Sequence, residues 1–215
     1  MKVYKDIYGL IISPENLFAA WKIFKSDKRN KSDVGKFERN LERNIFGLLR
    51  ELRDKTYRHG PYSGFWINDP KRRRIHKASV RDRVLHHAIF RILNPIFEPT
   101  FIAASFSCRV GKGTHAGVRT VANMLRAESR NDTRPCFALK CDVRKFFDSV
   151  DHGILFGILS CRIADPDALA LLRGIIESYA ANERPGGGVR GRACLPVGRA
   201  SRSATLHRSF LRIST

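Results

Sequence analysis

One carboxylate stands where chemistry could be done: Asp142, which follows the apolar run Cys136 to Cys141 that only Lys140 interrupts. After it come Arg144 and Lys145, the aromatic pair Phe146 and Phe147, and two further acids, Asp148 and Asp151. This order predicts a buried strand delivering an acid to its edge, where a sheet fixes the oxygens and the following turn leaves room for a metal and a substrate. A strand end with a helix-capping Asp has the same pattern, and Asp142 alone does not separate the two.

Two other clusters carry charge. Lys71, Arg72, Arg73 and Arg74 are consecutive, and such a run is either a solvated tip or a set of phosphate contacts. Arg109 and Lys112 flank Gly111, with Gly113 beyond, so the backbone can approach a ligand closely with positive charge beside it. A Walker-type phosphate loop would need Gly-Lys-Ser/Thr directly opening a helix after a strand, and Gly111-Lys112-Gly113-Thr114 lacks that form. His86 and His87 lie within an apolar helical stripe, without the acid-and-His spacing of a metal site, which argues for packing.

The elements that must position these groups follow from periodicity. Ser13-Pro14-Glu15 starts a helix with Ser as cap and Pro in first position; it carries Leu17, Ala20, Trp21 and Phe24 and ends near Ser26. Residues 25–36 read as a polar connection, and Phe37, Leu41, Ile45, Leu48, Leu49 and Leu52 as one amphipathic helix of about five turns. His59-Gly60-Pro61 breaks it, Tyr62 to Ile67 is strand-forming, Asn68-Asp69-Pro70 turns, and the chain returns through residues 71–76 as a hairpin. Val84, Leu85, Ala88, Ile89, Ile92 and Leu93 mark the next helix, which Pro95 closes. Thr114 caps a helix through Ala116, Val121, Met124 and Leu125 that packs under the expected strand. Two core helices then start at Asp151-His152 and at Asp165-Pro166-Asp167.

With 215 residues and 43% hydrophobic content the chain can bury a core. Lys and Arg outnumber Asp and Glu by 40 to 20, a net charge of +20. That imbalance is hard to reconcile with a small-molecule enzyme and natural for a protein lying along a phosphate backbone. A merely soluble basic surface or an anionic-membrane binder is the competing explanation, but no basic amphipathic helix stands apart from the core pattern. The five cysteines show no CxxC or Cys/His spacing, which fits a reducing cytoplasm. No signal-peptide or bilayer-length apolar segment is present in the sequence.

The string Leu139-Lys140-Cys141-Asp142-Val143-Arg144-Lys145-Phe146-Phe147-Asp148-Ser149-Val150-Asp151-His152 closely resembles the first palm motif of reverse transcriptases, of the bacterial kind found in group II introns, retrons and diversity-generating retroelements. Ser105 to His115 resembles the family's Ser-Tyr/Phe-x-x-Arg-x-Gly-Lys/Arg-x-x-His segment, and Gly186-Gly187-Gly188 with Leu195-Pro196-Val197-Gly198 its Gly-x-Gly-Leu-Pro-x-Gly segment. The resemblance implies an α+β polymerase right-hand fold, fingers plus partial palm, with helices packed on a small antiparallel sheet. On that plan residues 1–60 are an N-terminal helical region, 61–135 the fingers and 136–183 the start of the palm.

The implied reaction is addition of dNTPs to a DNA primer on an RNA template with Mg²⁺. Asp142 would be catalytic and a metal ligand, with the carbonyl of Val143 beside it. Nucleotide-binding roles fall to Arg73, with Arg74 as the one-residue alternative, and to Lys145, Phe146 and Phe147. Phe147 stands where the family sets a bulky side chain against the sugar 2′ position, whereas Phe146 reads as packing. Arg81, Arg83, Arg109 and Lys112 are the implied nucleic-acid contacts.

The likeness lapses towards the C-terminus. Residues 184–215 hold seven arginines and no Asp, Glu or Lys, and Arg199-Ala200-Ser201-Arg202-Ser203 does not continue the family's next string. This stretch reads as an atypical basic tail, disordered or translated in a shifted frame. The family's second catalytic motif, an aromatic followed by Ala-Asp-Asp, does not occur in the sequence, and two-metal nucleotidyl transfer needs carboxylates from two strands. Asp148 lies beyond the aromatic pair and Asp151 reads as a helix cap, so neither replaces it. The expectation is a chain truncated before its catalytic site is complete and inactive alone. A non-catalytic RNA-binding module that keeps a basic groove is the leading alternative; a nuclease lacks its clustered acids and histidines.

Overall fold

The computed structural model describes residues 2–28, 30–68, 72–143 and 146–183. Lys71, Arg144, Lys145 and the basic tail with Cys194 fall outside the described residues. In chain order the elements are α1 (Ile7–Ile11), α2 (Pro14–Lys25), α3 (Ser32–Arg39), α4 (Leu41–Arg53), β1 (Ser63–Ile67), β2 (Arg73–Lys77), α5 (Val80–Phe97) with a 3-10 turn at Glu98–Thr100, α6 (Thr114–Glu128), α7 (Phe146–Ser149), α8 (His152–Ser160) and α9 (Pro166–Glu183). The described residues divide into two compact units, one of those up to Thr100 together with 150–183, the other of those within Phe101–Ser149.

The first unit is built on α2 and α5. Ser13 caps α2 by accepting from the Asn16 N–H at 3.2 Å, and Leu17, Ala20, Trp21 and Phe24 are buried as their spacing predicts. They meet Val84, Leu85 and Ala88 of α5 and Ile45, Leu48 and Leu52 of α4 in one core, where each large side chain contributes roughly 1.5–3 kcal/mol by leaving water. Buried Asn16 donates to the carbonyls of Ile11 (2.9 Å) and Ala88 (3.1 Å) and accepts from Arg91 (3.0 Å), tying α1, α2 and α5 together. Asp165 caps α9 through the N–H groups of Asp167 and Ala168 and accepts the Tyr8 N–H at 2.8 Å, which pins α9 to α1.

Two boundaries differ from expectation. The single long helix expected from Phe37 is two, because Asn40 leaves helical geometry at φ −122° and ψ 40° and the Asn44 amide donates to the Phe37 carbonyl at 2.9 Å. α3 therefore starts inside the stretch read as a polar connection and buries Val34. Pro95 does not close α5, which runs on to Phe97. So near the C-terminus its missing N–H leaves a single carbonyl without its helical partner, and the core takes up Ile96 and packs Phe97 against itself in return.

β1 and β2 form the expected hairpin, with Ser63 opposite Lys77, Phe65 opposite Ile75 and Ile67 opposite Arg73. All of β1 is exposed. The mixed α+β class therefore holds, but the helices of this unit pack mainly on one another, and the hairpin meets them through Lys77 with Asp33 of α3 and His76 with Tyr179 of α9. α8 is likewise no core helix: Ile154 and Ile158 are 67% and 56% exposed.

In the second unit, α6 follows a loop closed by the Gly113 N–H donating to the Phe106 carbonyl at 3.0 Å. Gly111 and Gly113 adopt φ +73° and +93°, which a side chain would strain. Gly113, not Thr114, occupies the cap position, with no side-chain bond. The strand expected at Cys136 to Cys141 is absent: the segment is irregular, and Leu139 is 81% exposed. No described strand lies beside it, and a lone strand leaves its own N–H and C=O groups unpaired, so apolar content alone cannot hold one. α6 consequently has nothing to pack under, and Val118, Val121 and Met124 are exposed.

Candidate functional site

The hairpin presents the clearest reactive surface. Trp66 is 55% exposed, and the Arg72 guanidinium lies over its ring, 4.4 Å from the centroid. Trp66 faces Arg74 across the strands, and Arg74 fills the space above Gly64. Because residues alternate faces along a strand, positions 73 and 74 belong to opposite faces. Arg73 and Arg74 are therefore alternatives in a strict sense: only position 74 shares a face with Trp66.

Three carboxylates fix the root of this hairpin. Asp82, fully buried, accepts from the Tyr57 hydroxyl (2.8 Å), the Ser79 hydroxyl (2.6 Å) and the Gly60 N–H (3.2 Å), while its own N–H donates to Ser79. Burial works to raise its carboxyl, but the hydrogen bonds from Ser79 and Tyr57 and the charges of His59 and Arg81 hold it below the usual carboxylate range. Burial, and Asp82 after it, push the Tyr57 phenol up. Asp33 binds Lys77 of β2 at 2.6 Å and Arg83 of α5 at 2.7 Å with the same oxygen. Burial opposes its ionisation, yet those two partners hold its carboxyl below the ordinary range. Glu51 takes both oxygens to Arg81, at 2.9 and 2.6 Å, and a second Arg81 nitrogen donates to the Arg58 carbonyl at 2.7 Å.

Arg81 and Arg83, named from the sequence as nucleic-acid contacts, are thus engaged within the protein. Asp82, Tyr57, Glu51 and Asp33 went unnamed; the legible signal was Ser79-x-x-Asp82 ahead of an apolar stripe, a capping box. Beside this root the rings of His59 and His86 stack at 5.2 Å, and neither Nε2 has a hydrogen-bond partner among the described residues. Burial first and His59 second push His86 down to about 4.

In the second unit Arg109 donates to the carbonyls of Ile102 and Ser105, both at 3.0 Å, and Lys112 to that of Ala103. Both cations brace the glycine loop, lying over Phe101 and Phe106 at 5.5 and 5.3 Å. Asp142 and Val143 are exposed in the irregular segment, and Phe146 opens α7 with 55% exposure. Lys145 lies outside the described residues, and for Arg73 and Phe147 only the backbone is described. Among the described residues no group of three or more His, Cys, Asp or Glu could hold a metal. Among the described residues no helix is long and apolar enough to cross a membrane.

The chain is similar to proteins encoded by group II introns and to intron maturases. It is 23% identical over 171 residues to the group II intron-encoded protein LtrA of Lactococcus lactis subsp. cremoris, which covers 76% of this chain and 27% of LtrA. It is 28% identical over 171 residues to protein YkfC of Escherichia coli (strain K12), 76% of this chain and 44% of YkfC. To nuclear intron maturase 1, mitochondrial, of Arabidopsis thaliana it is 28% identical over 146 residues, 66% of this chain and 19% of that protein. The chain thus spans less than half the length of each of these relatives. No protein-family model matches it. The resemblance read from the palm-like string, to the kind found in group II introns, retrons and diversity-generating retroelements, is borne out by this similarity to group II intron proteins.

Proposed function

We propose that this chain provides the fingers and the first part of the palm of an RNA-directed DNA polymerase of the group II intron kind, with the β1–β2 hairpin facing nucleic acid. The observation that carries it is the exposed Trp66 with Arg72 over its ring and Arg74 opposite, on a hairpin rooted by Asp82 and Asp33. An aromatic face flanked by guanidinium groups stacks on bases and meets phosphates without regard to sequence. Net charge +20 supports the same partner. In this reading further sequence completes the right-hand fold, Asp142 supplies one Mg²⁺ ligand with the Val143 carbonyl, Arg73 or Arg74 holds the incoming dNTP, and Phe147 meets its sugar. Arg109 and Lys112 hold the glycine loop in shape for the template.

A non-catalytic RNA-binding module is the second reading, favoured by the exposed, irregular segment around Asp142. Ligand protection separates the two: Mg²⁺ with dNTP should slow amide exchange around Asp142 in the polymerase reading and leave it unchanged in the module reading, and two further measurements test the RNA partner and the activity. RNA affinity is measured as salt is raised, and magnesium-dependent primer extension is assayed on the same preparation, each with Asp142→Ala alongside. Both readings require salt-sensitive RNA binding that Asp142→Ala leaves intact. For the 215-residue chain alone the expected extension is none; extension that Asp142→Ala abolishes would show the catalytic site already complete, and salt-insensitive binding would remove the RNA partner.

A further inference from the structure

α1, the loop between α4 and β1, and α9 line a cavity of about 380 Å³, at the small end of the roughly 300–1,000 Å³ usual for ligand sites. Its α9 wall is Ala170, Leu171, Gly174 and Glu177, and a Cβ added at Gly174 would meet nothing within 4 Å. Tyr8 and Tyr57 line it too, but their hydroxyls are bonded inward to the Leu52 carbonyl and to Asp82, so they offer ring and not phenol. Lys55 and Asp167 pair across the lining at 2.7 Å and satisfy each other. Glu177 makes no hydrogen bond or ion pair with any described residue, and it is exposed. Among the described residues the Arg58 guanidinium reaches only the carbonyl of Tyr57, at 3.2 Å.

With Lys55 and Asp167 paired, Glu177 and Arg58 remain as the charged groups of the lining beside the His59 ring, so neither a free phosphate nor a metal ion meets a lining of opposite sign alone. We propose that the cavity takes one unpaired nucleobase of RNA, guanine by preference, an inference that rests on the RNA-binding reading above. Unstacked bases are recognised by apolar and aromatic walls together with hydrogen bonds to their Watson–Crick edge. Guanine turns two parallel N–H groups to a carboxylate, whereas uracil turns one N–H set between two carbonyl oxygens that Glu177 repels. The phosphates on either side of the base then meet Arg58 at the rim.

The test uses two single-stranded RNA hexamers, all uridine and the same with one central guanosine, with affinity read by fluorescence anisotropy. The guanosine hexamer is expected to bind on the order of tenfold more tightly, the usual effect of one good paired contact to a base edge. Glu177→Gln should erase that preference and leave the uridine hexamer unchanged. Gly174→Trp, which fills the cavity, should do the same; since Glu177 is on the surface, its variant remains informative if the tryptophan disturbs folding. Equal affinity of the wild type for both hexamers, or a preference that survives Glu177→Gln, overturns the proposal while the RNA reading stands. No binding of either hexamer overturns both.

Discussion

The Tyr57 hydroxyl donates to Asp82 across 2.8 Å in a site where Asp82 has no exposed surface, and this contact joins the loop after α4 to the first turn of α5 at the root of the hairpin. Asp82→Ala should therefore be severe. It strips a buried acceptor from Tyr57, Ser79 and Gly60 together, and leaving such donors unpaired costs about 1–3 kcal/mol each. Tyr57→Phe should cost about 1 kcal/mol beyond any packing change. Denaturant midpoints measure both, and the double variant should fall well short of the sum because the residues share one network.

His86 makes stability depend on pH. Its folded-state value is held down to about 4, below the usual value of about 6.5, so between those two the unfolded chain binds more protons and stability falls as pH falls. Asp82 acts in the same direction further down: its carboxyl is held low when folded, and its contribution is lost as pH drops through that lowered value. The expected result is a urea midpoint that declines below about pH 6.5. His86→Phe should flatten the upper part of that decline and leave the lower part, which belongs to carboxylates.

Leu85→Ala should cost about 2–5 kcal/mol, since Leu85 is wholly buried in the α2–α5 core. Leu139→Ala should change the melting free energy by less than about 0.5 kcal/mol, because Leu139 is 81% exposed. A large loss from Leu139→Ala would mean that the segment before Asp142 is a packed strand after all.

Arg83→Ala and Lys77→Ala both remove a partner of Asp33. Each should weaken the hold of the hairpin on α3, visible as faster amide exchange in β2, with a modest stability loss of about 1 kcal/mol or less because the pairs are partly exposed.

Local signals carried most of what was legible in the sequence. Ser13-Pro14 announced α2, Asp151 announced α8 by accepting from the Ile154 N–H at 2.9 Å, and the strand-forming run Tyr62 to Ile67 before Asn68-Asp69-Pro70 announced the hairpin. What failed needed knowledge of neighbours. The run from Cys136 to Cys141 has strand composition, but a strand exists only with a partner to bond, and none is described beside it. The ion pairs of Arg81 and Arg83 were not legible either, because their acids, Glu51 and Asp33, are 30 and 50 positions away in sequence. Pro95 has the average habit of a helix breaker, whereas the burial of Ile96 carries the helix past it.

The central claim is that nucleic acid stacks on the hairpin at Trp66, and tryptophan emission reads this directly. The chain has two tryptophans, and Trp21 is buried in the core. Titrating single-stranded RNA should quench emission in step with the anisotropy of the labelled strand; Trp66→Phe should abolish the quenching, and Trp66→Ala should weaken binding by about 1 kcal/mol or more. RNA that binds while Trp66 emission stays constant would contradict the account.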